Sequence, residues 1–120
     1  MRPLTDLEKK AVLAMANEVG SDEVRNQLLL DLDRPLVEAV SPDGSRLMFR
    51  IDGYQCPPHR GQDTFRGKDG FPVEGTMHDA DGAEMDVLLF VVHGRVYELE
   101  LVRHMGGPVL RPDWNSFRVK

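Results

Sequence analysis

The chain carries one cysteine, one tryptophan and two tyrosines among 120 residues, and its 15 lysines and arginines are outnumbered by 20 aspartates and glutamates. A lone thiol, Cys56, cannot close an internal disulfide, which points to a reducing, cytoplasmic setting. No apolar run approaches the roughly 18 uncharged residues that a membrane-spanning helix requires, so no membrane association is expected. The N-terminal stretch is interrupted by Asp6, Glu8, Lys9 and Lys10 and offers no uncharged signal core. Phosphate neutralisation supplies most non-specific affinity for nucleic acid, so a net charge of −5 argues against a nucleic-acid partner. Nucleophile-elbow, zinc-protease and phosphate-loop spacings are all missing, and no cofactor is expected.

What remains is ordinary globular composition, 41% hydrophobic and 29% charged, in a chain long enough to bury a core as a single domain. The charge is unevenly spread. Residues 71–100 hold seven acids (Glu74, Asp79, Asp81, Glu84, Asp86, Glu98, Glu100) against one base, Arg95. Residues 101–120 hold Arg103, Arg111, Arg118 and Lys120 against Asp113.

Thr5-Asp6-Leu7-Glu8 is a capping-box pattern, and Leu7, Ala11, Ala14, Met15 and Val19 then recur at helical steps. Gly20 stops that helix. Ser21 caps a second one, with Val24, Gln27, Leu28 and Leu32 facing inward, and Pro35 ends it. The period then turns strand-like. Strands are predicted at Leu36–Val40, Arg46–Asp52, Phe71–His78, Glu84–Val92 and Arg95–Arg103, with turns at Ser41-Pro42-Asp43-Gly44 and Asp79-Ala80-Asp81-Gly82. Residues 53–70 read as a long loop and residues 106–120 as a tail bearing Trp114 against the sheet edge. Helices followed by strands imply an α+β domain: an N-terminal helical hairpin on one face of an antiparallel sheet of about five strands.

The stretch Ala83–His104 has the strongest pattern, two alternating apolar runs joined at His93-Gly94. Counting outward from Val92 opposite Arg95, Phe90, Tyr97, Leu88, Leu99 and Leu101 share one face. Val91, Val96, Leu89, Glu98, Val87, Glu100, Met85 and Val102 share the other. Glu98 and Glu100 then sit among apolar neighbours, where an unpaired carboxylate is costly. Arg46 and Arg50, two turns of the pleat apart, are the natural partners. A one-residue slip would reverse every face. Three readings of that face stay open: solvent exposure, a structural ion-pair network, or a binding site built on Glu98 and Glu100.

The segment from Val87 to Pro112 (VLLF, HGRVYELELVR, then Gly-Gly-Pro-Val-Leu and Arg-Pro) and the opening Arg2–Glu8, RPLTDLE, resemble a family of small uncharacterised bacterial proteins. Its mark is a G-x-[LV]-x-E-L-E-[IL] strand followed by a Gly-Pro tail, and the likeness covers about a third of the chain. Some proteins of this general appearance are immunity proteins encoded beside secreted toxins. The resemblance implies no catalytic residues.

Cys56-Pro57-Pro58-His59 lacks the second ligand pair that a zinc site needs, and consecutive prolines supply few amide donors for an oxyanion. Asp79-Ala80-Asp81-Gly82 superficially resembles a calcium loop, but the twelfth position is Phe90 rather than a bidentate Glu. The functional expectation is therefore binding: a protein-interaction module, of immunity-inhibitor type, offering an acidic sheet face and the 53–70 loop to a basic protein partner. Two alternatives stand beside it. One is a small-molecule site, enzymatic or sensory, between sheet and loop, using Glu98, Glu100, Arg46, Arg50 and His59. The other is self-association into a homodimer through the sheet.

Overall fold

The computed structural model describes residues 2–32, 35–51, 73–92 and 95–120. Among these the elements run β1 (Arg2–Pro3), α1 (Asp6–Asn17), α2 (Asp22–Asp31), β2 (Pro35–Val40), β3 (Arg46–Ile51), β4 (Gly75–Asp79), β5 (Glu84–Val92), β6 (Arg95–Arg103) and β7 (Pro112–Val119). The fold is α+β, with both helices near the N-terminus packed on an antiparallel sheet.

Each helix begins where its cap dictates. Thr5 Oγ1 accepts the Glu8 amide at 3.2 Å, and Glu8 Oε1 accepts the Thr5 amide at 2.9 Å. Arg2 adds two bonds of 2.8 Å to the same carboxylate, which is why Glu8 tolerates near-complete burial. In α1 the buried face is Ala11, Val12, Met15 and Ala16, rotated from the predicted stripe; Leu7 remains 38% exposed. Ser21 Oγ accepts the Val24 amide to start α2, which buries Leu28.

The sheet order is β1-β2-β3-β6-β5-β4-β7. The five strands expected from the sequence are the inner five, and β1 and β7 add an edge on each side. The meander β4–β5–β6 folds back so that β6 pairs with β3. Both tight turns form as their residues require: Gly44 and Gly82 adopt φ of +77° and +84°, a region that favours glycine. The core lies between the helices and one sheet face, where Met15, Leu28 and Leu32 meet Leu47, Met77, Met85, Leu89 and Leu99.

The β5–β6 register departs from the simple count. Val92 pairs with Arg95 and Val91 with Val96, but Phe90 then pairs with Glu98, Leu89 with Leu99 and Leu88 with Glu100. A β-bulge at Tyr97 inserts one residue and shifts every later pair. Leu99 and Leu101 consequently join Val87, Leu89, Val91 and Val96 in the core, and Glu98 and Glu100 turn to the opposite face with Leu88 and Phe90. The predicted grouping of the glutamates with Leu89, Val87 and Met85 is therefore wrong. The bulge lets an apolar residue fill each inward position without burying Glu100 in the core.

The predicted tail is the edge strand β7. Opposite Thr76 and His78, its register jumps from Arg118 to Asp113, so a stretch centred on Trp114–Phe117 bulges outward. Ser116 Oγ steadies the bulge by accepting the His78 amide at 2.9 Å and donating to the Asp113 carbonyl at 2.6 Å. Gly75 is required beneath it: a Cβ there would overlap the Phe117 ring.

Candidate functional site

The sheet face turned away from the helices brings β3, β6 and β5 side by side. Met48, Glu98 and Phe90 form one cross-strand row, and Arg46, Glu100 and Leu88 the next. Met48, Leu88 and Phe90 are half-buried, and Val102 beyond them is 39% exposed.

Glu98 is 4% exposed, and Arg46 reaches diagonally to it, placing Nε at 3.0 Å and Nη2 at 2.6 Å from the same oxygen, Oε1. The hydrogen bonds Arg46 donates to Glu98, together with the charge of that carboxylate, hold the guanidinium more firmly protonated than usual. Glu100 lies directly across from Arg46 in the ladder, is half-buried, and makes no hydrogen bond or ion pair to a described residue. Arg50 is exposed on the same face, opposite Leu36, and forms no ion pair with either glutamate. Of the residues singled out in the sequence, Arg46, Glu98 and Glu100 thus converge and Arg50 stands apart. His59, Cys56 and the 53–70 loop, and with them the small-molecule site between sheet and loop, lie outside the described residues.

The face is less acidic than the linear charge pattern implies, because the basic C-terminal segment folds onto the acidic strands. Lys120 Nζ lies 2.7 Å from Asp86 and 3.2 Å from Glu74, and His104 Nε2 lies 2.8 Å from Asp86. Hydrogen bonds from Lys120 and His104 hold Asp86 below the usual carboxylate range, and Asp86 and Glu74 in turn raise Lys120. Arg103 takes Asp79 at 2.6 Å and Asp81 at 2.9 Å. In the Met48–Leu88–Phe90 neighbourhood Glu100 is a carboxylate without a hydrogen bond to a described residue, with the charge of Arg46 across the ladder from it.

Three aspartates matter more than their sequence context suggested. Asp79 is 3% exposed, yet its carboxylate accepts the amides of Ala80, Leu110 and Arg111 at 2.7–2.8 Å as well as the Arg103 guanidinium. Burial pushes its pKa up, but those donors outweigh burial and hold it at about 2. Asp43 likewise accepts the Ser45 hydroxyl and amide and the Val109 amide, which keep it strongly acidic. Together Asp43 and Asp79 strap residues 109–111 across the end of the sheet and seat Val109 in the core. Asp31, the last residue of α2, accepts Arg95 Nε at 2.7 Å, the Val96 amide at 3.1 Å and Gln27 Nε2 at 3.1 Å. A carboxylate in the last turn of a helix opposes the helix dipole, and the partners on β6 offset that cost.

Among the described residues no cluster of His, Cys, Asp and Glu is arranged to hold a metal ion. No helix among them is long and apolar enough to cross a membrane. No family model, curated protein or solved structure matches the chain.

Proposed function

We propose that this protein is a binding module rather than an enzyme, and that its contact surface is the sheet face carrying Met48, Leu88, Phe90, Val102 and Glu100. The observation that supports this reading is Glu100: a half-buried carboxylate among apolar side chains, without a hydrogen-bond partner among the described residues. Arg46, directly across the ladder, shares its charge with Glu100 but gives its hydrogen bonds to Glu98. An arginine or lysine of a partner protein inserted beside Arg46 would give Glu100 a hydrogen-bonded cation of its own. Glu98, already neutralised by Arg46, would fix the geometry of the patch rather than contact the partner. The apolar row would supply the affinity and Glu100 the orientation and specificity.

The partner on this reading is a protein that presents a basic residue within an apolar surface. An immunity-type inhibitor of a basic protein, in a bacterial cytoplasm, fits the resemblance of the β6 strand and the single cysteine. The test is co-purification from native lysate at low and high salt with wild type, Glu100→Gln and Phe90→Ala. A partner retained by wild type, weakened by either substitution and released faster at high salt supports the proposal. Capture that is indifferent to both substitutions removes this face from it.

A further inference from the structure

A concave feature lies away from that face, between α1 and the bulged strand β7. It is a cleft of about 200 Å³ whose apolar lining includes Ala11 and Ala14 from the helix and Trp114 and Phe117 from the strand. Two alanines one helical turn apart make room that larger residues would fill, and the bulged stretch of β7 supplies Trp114 and Phe117 to the lining. The cleft also has two cations, Lys10 on α1 and Arg118 on β7. Neither makes a hydrogen bond or ion pair to a described residue, in a chain whose other strand-borne bases are largely engaged by carboxylates.

We propose that this cleft binds a small aromatic carboxylate: one ring against Trp114 and Phe117, its anionic group between Lys10 and Arg118. The volume selects the size. A cavity of roughly 150 Å³ accepts benzene, whereas drug-sized or dinucleotide ligands require roughly 300–1,000 Å³. The aromatic walls select a ring through stacking and edge contacts, and the two lining cations select the negative charge. The proposal is independent of the sheet-face reading, since the two sites share no residue.

Trp114 is the only tryptophan, so its fluorescence reports the cleft directly. The experiment titrates the full chain with benzoate, phenylacetate and the neutral benzamide, following Trp114 emission and the backbone amide shifts of residues 7–14 and 114–119. The expected result is saturable binding of at least one carboxylate, with benzamide at least about fivefold weaker. Affinity should fall about tenfold in Lys10→Met/Arg118→Met, each exposed charge contributing a few-fold. Ala14→Leu should abolish binding by filling the cleft while circular dichroism and Tm stay close to wild type. The proposal is overturned by no saturable response to either carboxylate, by equal affinity for benzamide, or by unchanged binding in the double variant. Because the double variant changes only exposed side chains, it carries the test if Ala14→Leu perturbs the fold.

Discussion

Arg46 donates through both Nε and Nη2 to a single oxygen of Glu98, across the β3–β6 ladder and two residues off the direct pairing. The two partners are unequal: the Glu98 side chain is 5% exposed and that of Arg46 is 56% exposed. The carboxylate therefore bears most of the desolvation cost, and the guanidinium that compensates it remains in contact with water. Losing the arginine leaves a buried charge, whereas losing both groups leaves only an apolar patch.

This asymmetry yields a double-mutant prediction. Arg46→Met alone should destabilise the fold by about 1–3 kcal/mol, discounted from the full cost of a buried orphan because water reaches the arginine side. Arg46→Met combined with Glu98→Leu should recover most of that loss. Urea denaturation of the single and double variants measures the coupling; additive losses would show that the pair is not coupled.

The Asp79 strap predicts acid sensitivity of a defined sign. Its folded pKa of about 2 lies below the ordinary value of 3.8, so the carboxylate contributes stability that is fully present above about pH 4. That contribution is lost as pH falls from about 4 towards 2, when the strap of residues 109–111 loses its acceptor. Asp79→Asn should cost about 2–3 kcal/mol at neutral pH and flatten the fall in Tm across that window. An unchanged acid-denaturation profile in the variant would contradict this assignment.

Asp31 ties the end of α2 to β6 through Arg95 and the Val96 amide. Asp31→Ala should cost about 2–4 kcal/mol, because it orphans a buried amide and removes the carboxylate that Arg95 and Gln27 share. Amide exchange should accelerate first in α2 and around Val96, and uniform acceleration across the sheet would argue against a local tie.

At the opposite edge, Gly75→Ala forces its new methyl against the Phe117 ring. The expected loss is about 1–3 kcal/mol, typical of overpacking. Phe117→Leu in the same chain should relieve part of it, and thermal melts of the three variants check the pairing.

Much of the architecture could be read locally. The Thr5–Glu8 capping box, the helical hairpin, the Asp-Gly turns and the five inner strands all depend on residues within a few positions of one another, and all are present. The candidate site was legible only in part. Glu98, Glu100 and Arg46 were recognisable as charges in strands that could be neighbours. Which face they occupy depended on a bulge at Tyr97, and alternation alone carries no trace of an inserted residue.

The chain pattern by itself therefore determined the two helices and the five inner strands, and that the sheet is antiparallel with helices on one face. These follow from backbone propensity, capping and periodicity, which act over short stretches of chain. Only the tertiary structure decided that β6 inserts beside β3, that the tail is strand β7, and that Lys120 pairs with Glu74 and with Asp86 of β5. It also decided that Glu98 is paired with Arg46 while Glu100, directly across from Arg46, makes no hydrogen bond to a described residue. Those outcomes depend on contacts between residues tens of positions apart, whose register is set by the fit of the whole core.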